Sequence, residues 1–168
     1  MMTGPCPGTH HASVSHRTVI HENPDTRTFA PDQGSFRWNL RIYYEDTDAT
    51  GIVYHANYLK YCERARTEWL RSRSFQQAEL SRDRGLHFVL ARATVKFLSP
   101  ARLDDELEVS VIPERIGRVS LDFQQNVYRK RSARTLVTLI ARVGCLDTET
   151  SRPRAIPPEI LRELVNDE

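Results

Sequence analysis

From residue 36 onward the hydrophobic positions follow first one period and then another, and the change of period lays out the elements. The segment FRWNLRIYYED puts Phe36, Trp38, Leu40, Ile42 and Tyr44 on one parity, which predicts a strand with one buried face. In ANYLKYCERARTEWLRSRSF the residues Tyr58, Cys62, Ala65 and Trp69 recur at helical spacing. Lys60, Arg64, Arg66 and Glu68 surround that stripe and Glu63 lies at its flank, so the segment predicts one amphipathic helix of roughly four to five turns. QQAELSRDRG predicts a second, short helix closed by Gly85.

After Gly85 the period drops to two. LHFVLARATVKFL places His87, Val89, Ala91, Ala93, Val95 and Phe97 on one face, and DELEVSVI sets Leu107, Val109 and Val111 against Glu106, Glu108 and Ser110. RVSLDFQQNVYRK alternates Val119, Leu121, Phe123 and then Val127. RTLVTLIARVGCL is apolar on both parities, which predicts a central strand covered on both faces. PPEILREL predicts a closing helix started by proline. Strand, long helix, short helix, then four strands on hairpin-length connections gives an α+β domain with an antiparallel sheet. One long helix can shield only part of one sheet face, so the apolar excess predicts self-association.

Composition alters this picture at the N-terminus. Residues 1–35 hold four of the nine prolines, three of the seven glycines, and His10, His11, His16 and His21, without a sustained hydrophobic period. Such a segment buries too little to offset its ordering entropy, so it is expected to be a disordered extension ahead of a folded domain over 36–168. The net charge of +2 comes from acids and bases interleaved along the chain, which argues against a nucleic-acid partner. Cys6, Cys62 and Cys145 have no paired spacing and fit a reducing compartment. No apolar run reaches the ~18 residues of a membrane span. The expectation is a soluble, cytoplasmic protein.

The chemistry concentrates in YYEDTDATGIVYHANY. DTDAT matches a D-x-D-x-T phosphotransferase loop, but that chemistry belongs to alternating strands and helices, whereas four strands here run consecutively. An EF-hand alignment puts Asp46, Asp48, Thr50 and Gly51 at calcium-loop positions, then fails where Asn57 replaces the bidentate glutamate. The third reading has a strand deliver Asp48 into a turn allowed by Gly51, with a helix starting near His55. The unpaired N–H groups of a helix start can hold a carbonyl oxygen as negative charge develops on it. Asp48 can then activate water or attack directly. A thioester suits one carboxylate, because its thiol leaves with a pKa near ~8.5 and needs no strong acid.

YYEDTDATGIVYHANYLKYCERARTEWL closely resembles the hot-dog-fold acyl-CoA thioesterases of the 4-hydroxybenzoyl-CoA thioesterase superfamily, and within it the tol–pal-associated acyl-CoA thioesterases. Those carry D-x-D-x-x-G-[IV]-V-[YF]-H-x-x-Y followed by an E-R-A-R helix. The resemblance spans about residues 36–160. It implies a long helix wrapped by a five-stranded antiparallel sheet, assembled as a homodimer or homotetramer. It also implies hydrolysis of acyl-CoA, or of a thioester on acyl-carrier protein, with no cofactor beyond the coenzyme A of the substrate. A non-catalytic acyl-CoA or acyl-carrier sensor is the alternative on the same fold. A hydroxyacyl dehydratase lacks its His-containing glycine–proline motif here.

By that resemblance Asp48 is the general base or nucleophile, with Tyr44 its companion and the backbone N–H of His55 the carbonyl donor. Thr50 departs from the family pattern and adds a side chain beside the site. Gly51, Tyr54 and Tyr58 are assigned to substrate binding, and Arg118 is chosen to grip coenzyme A phosphate ahead of Arg115, Arg129, Lys130 and Arg131. Asp46 is expected to shape the turn, and the others have plainer alternatives: a turn cap for Asp48, a helix-start residue for His55, core packing for Tyr44, pocket wall and core for Tyr54 and Tyr58, solvated charge for the arginines. Glu63 is a rival base on the helix.

Overall fold

The computed structural model describes residues 35–132 and 134–165, together with the backbone of residues 27 and 28. The elements are β1 (Arg27–Thr28), β2 (Phe36–Arg41), α1 (Asn57–Ser72), α2 (Gln77–Arg84), β3 (Leu86–Phe97), β4 (Glu106–Ile116), β5 (Ser120–Arg129), β6 (Arg134–Asp147) and α3 (Pro158–Val165). Apart from β1, which pairs with Arg115 and Ile116, the expected N-terminal extension and its histidines lie outside the described residues. No helix among the described residues is long and apolar enough to cross a membrane.

Five long strands form one antiparallel sheet in the order β2–β4–β5–β6–β3, and α1 lies across it. This is the expected hot-dog arrangement. The α1 segment contains no glycine or proline and is rich in strong helix formers. Its stripe of Tyr58, Cys62, Ala65 and Trp69 is buried against Val109 and Val111 of β4, Phe123 and Val127 of β5, and Leu139 and Ala141 of β6. Trp69 meets Phe123 edge-on, with ring centroids 5.1 Å apart, a geometry worth about 0.5–1.5 kcal/mol beyond area burial. The short α2 ends where expected, with Gly85 in the left-handed conformation at φ +62°.

Three expectations from the pattern are corrected. First, β3 does not keep one face: the register slips between Leu90 and Arg92, leaving Ala91 as a bulge. An extra residue reverses parity, so Phe88 and Leu90 share the helix side with Cys145 and Val143, while beyond the bulge Ala93, Val95 and Phe97 take that side. Second, β6 has strand neighbours on both sides but is buried chiefly on its odd parity, at Val137, Leu139, Ala141, Val143 and Cys145, joined by Leu136 where the β5–β6 register slips. On the other face Ile140 is exposed and Arg142 pairs with Asp122 through Nε and Nη2. Third, β2 stops at Arg41, and the chain turns through a short 3-10 helix over Tyr44–Asp46. Tyr44 is therefore 81% exposed rather than packed with the strand.

Candidate functional site

Residues 47–53 form a small hairpin at the end of the sheet where β4 begins. Thr47 pairs with Val53, and Ile52 with Arg102. The Asp48 N–H donates to the Ile52 carbonyl at 3.0 Å and the Gly51 N–H to the Asp48 carbonyl at 2.9 Å. Closing so tight a turn demands a left-handed residue, and Gly51 supplies it at φ +73°. Asp48 stands exposed at the rim of this hairpin. Its Oδ1 accepts the Thr50 N–H at 2.8 Å and the Thr50 hydroxyl. Those two bonds, the hydroxyl's first, hold the carboxyl below the usual aspartate range, with a smaller contribution from the nearby His55. Oδ2 has no partner among the described residues.

Behind the hairpin the helix start is pinned in place. The Asp46 carbonyl accepts both the Tyr54 N–H and the Asn57 side-chain amide at 2.9 Å, and Asn57 is itself 95% buried. The Asp46 carboxylate accepts the Tyr43 N–H at 2.9 Å, the turn-forming role expected of it. Asn57 N–H closes onto the Tyr54 carbonyl, and Leu59 N–H onto that of Ala56. The N–H groups of His55 and Ala56 meet no acceptor among the described residues. They are the unpaired donors that a helix start leaves for an anion or a polarised carbonyl.

The segment between β3 and β4 braces this arrangement from the other side. Val53 N–H donates to the Ala101 carbonyl, and the buried Ala101 N–H donates to the Tyr58 hydroxyl at 2.9 Å. Asp105 Oδ2 accepts the Arg102 N–H and both Nε and Nη2 of Arg129. Arg129 also reaches the Pro100 carbonyl, so it is spent on structure.

The residues singled out from the sequence therefore fall into groups. Asp48, Gly51, Tyr54 and His55 come together at the hairpin and the helix start. The His55 ring lies 4.4 Å from Tyr54 and 6.3 Å, edge-on, from Phe97. Tyr58 is only 3% exposed and serves as a wall of the core, its hydroxyl taken by Ala101. Tyr44 lies on the surface of the adjoining turn. Arg118 is not brought to the hairpin within one chain, because it sits beyond the far end of the eleven-residue β4. At ~3.3 Å per residue that is roughly 35 Å away.

Glu63 is at the solvent side of α1, where its carboxylate accepts the Thr67 hydroxyl at 2.8 Å. Two features had no place in the sequence reading. Asn57 fixes the helix start, and its only signal was a polar residue at the head of an apolar stripe. Gln125 is fully buried, and its signal was a gap in the Leu121, Phe123, Val127 alternation.

The chain is similar to known proteins over most of its length. The sequence profile of the thioesterase-like superfamily matches residues 43–164. An acyl-CoA thioester hydrolase, YbgC, of Escherichia coli O6:H1 is 43% identical over 128 residues, covering 76% of this chain and 94% of that one. A 1,4-dihydroxy-2-naphthoyl-CoA hydrolase of Nostoc punctiforme is 32% identical over 131 residues, covering 77% of this chain and 86% of that one. Among solved structures, a 1,4-dihydroxy-2-naphthoyl-CoA thioesterase from Synechocystis shares the fold with a TM-score of 0.72 at 21% identity. It covers 79% of this chain and 96% of its own.

Proposed function

The chain belongs to the thioesterase-like superfamily, and from that premise we propose that this thioester hydrolase cleaves acyl-CoA with Asp48 as its reacting carboxylate. The observation that carries the reading is the pairing of a half-used carboxylate with a helix start whose first N–H groups are unspent. The thioester carbonyl oxygen sits on the His55 and Ala56 N–H groups, which gain strength as the oxygen becomes an oxyanion. Asp48 Oδ2 takes a proton from water while hydroxide adds to the carbonyl carbon. The tetrahedral intermediate then expels the thiolate, which recovers the proton from Asp48. In the alternative sequence Oδ2 adds to the carbonyl itself, the thiolate leaves, and water hydrolyses the resulting anhydride. Neither route calls for a cofactor. Single turnover in heavy-oxygen water separates them: label in Asp48 means attack by the carboxylate, and label only in the product acid means activated water.

The reading includes self-association through β3. Among the described residues this twelve-residue strand has β6 on one side only, and its other edge carries backbone groups without a strand partner beside exposed Leu90 and Phe97. It has no proline, and a long apolar edge of this kind is a template for another strand. Antiparallel pairing of two β3 edges sets the Leu86 half of one copy against the Phe97 half of the other. The β4–β5 turn of the second copy, which carries Arg118, then lies at the same end as the first copy's hairpin, where it can serve the coenzyme A phosphates. Ile140 on the opposite sheet face offers a surface for pairing dimers into a tetramer. Light scattering on wild type and V95D checks this: dimers or tetramers in the former and dissociation in the latter support it, and a monomeric wild type contradicts it.

A further inference from the structure

The second half of α1 borders a cavity of about 90 Å³, distinct from the Asp48 hairpin and lined by Arg66, Trp69, Leu70, Phe88, Leu90 and Phe123, with Glu63, Thr67 and Gln77 at its polar side. Most of that polar side is already satisfied. The Thr67 hydroxyl donates to Glu63 and accepts the Gln77 amide at 2.6 Å. Arg66 is different. It is partly buried, and its one hydrogen bond among the described residues runs from Nη1 to the Gln125 side-chain carbonyl oxygen. Gln125 is fully buried and cannot turn away, because its amide nitrogen donates to the Cys62 carbonyl at 2.9 Å.

A guanidinium carries five N–H donors in a planar fork. Here one is used, on a neutral acceptor, and no carboxylate lies within ion-pair distance of Arg66 among the described residues. Glu63 is a neighbour on the same helix, but it is exposed to solvent that screens it and already bonded to Thr67. Burial depresses the guanidinium's pKa, against smaller raising contributions from Cys62 and Glu63. Removing a cation from water without a counter-ion is costly, and proteins keep such groups where they meet an anion.

We propose that Arg66 reads the distal end of the acyl group, so that the cavity takes the terminal carboxylate of a short ω-carboxyacyl thioester through bidentate hydrogen bonds. The size agrees. A volume of about 90 Å³ has room for a carboxylate and its adjoining methylene. The placement agrees as well. Phe88 and Leu90 border the cavity on the half of β3 that antiparallel pairing would set beside the second copy's helix start. The inference rests on the proposed thioester hydrolysis for its substrate and on the proposed β3 pairing for its placement.

The test compares matched acyl chains on coenzyme A: glutaryl against valeryl and adipyl against hexanoyl, with 6-hydroxyhexanoyl as the neutral polar control. Wild type should favour the carboxylate-ended member in kcat/KM by roughly 10–100-fold, the range of a charge-assisted hydrogen bond to a partly desolvated group. R66M should bring the ratio to about one, and R66K, which keeps charge but not the fork, should fall between. The same ratio is read in Kd with non-hydrolysable S-alkyl thioethers of coenzyme A ending in methyl or carboxylate, so it is measured even if no thioester is cleaved. A wild-type ratio near one in both readouts, a preference for the methyl or hydroxyl end, or a preference that survives in R66M overturns the inference. Failure to hydrolyse any chain, with the carboxylate preference intact in Kd, overturns the Asp48 mechanism and supports the role of Arg66.

Discussion

Replacing Gly51 with alanine isolates the backbone cost of holding Asp48 in place. A Cβ built at Gly51 meets nothing within 4 Å, so steric crowding contributes nothing and the whole effect comes from φ +73°. An L-residue other than glycine held in that region costs about 1–2 kcal/mol. For a chain of this size a kcal/mol moves Tm by about 2–4 °C, so G51A should melt roughly 2–8 °C lower. Asparagine enters the left-handed region more readily, and G51N should lie between wild type and G51A.

Activity should fall by more than stability does. Relaxing residue 51 to negative φ breaks the Gly51 bond to the Asp48 carbonyl and shifts Thr50, whose N–H and hydroxyl hold the carboxylate. Misplacing a reacting group by ~1 Å can cost about 10²-fold. Thermal unfolding by circular dichroism, with kcat on the same preparations well below Tm, provides both numbers. If G51A melts with wild type, or G51N is less stable than G51A, the conformational argument fails.

The Thr50 hydroxyl is the largest cause of the low Asp48 pKa. Activity that needs ionised Asp48 is full above its folded pKa and lost as pH falls through it, so wild type should keep kcat/KM down to pH values below the usual aspartate range. T50V should move that acid limb upward, and a limb that stays put or moves down removes Thr50 from the account. Y58F deprives the buried Ala101 N–H of its acceptor. It should cost about 1–3 kcal/mol, seen as a lower urea midpoint at unchanged m-value. An unchanged midpoint would mean that the bond does not brace the β3–β4 segment.

The parts of the fold visible in the sequence are those set by short-range periodicity. The α1 stripe follows from the spacing of apolar side chains and the Gly85 cap from a glycine just past the last helical turn, and each is buried or conformed as expected. The bulge at Ala91 was invisible because LHFVLARATVKFL has an apolar or small residue at nearly every position, so parity can slip without exposing charge. Tyr44 misled for a related reason. Its spacing continues β2, but Asp46 closes a turn by accepting the Tyr43 N–H, and local hydrogen bonding prevails over the pattern.

Within the site, Asp48, Gly51 and His55 were legible because they are consecutive in one motif. Gln125 and Arg66 were not, because their partnership spans 59 positions and exists only once β5 packs on α1. Arg118 illustrates the same limit at a larger scale, since no spacing reveals which end of a sheet a turn occupies.

The central claim is that Asp48 supplies the reacting oxygen, and kcat of D48N on an acyl-CoA panel tests it most directly. The side chain bonds only to Thr50 among the described residues, through one oxygen that an amide retains, so the variant should fold as wild type does. The account predicts a loss of roughly 10²–10⁴-fold in kcat at unchanged Tm. Undiminished hydrolysis by a folded D48N would contradict it.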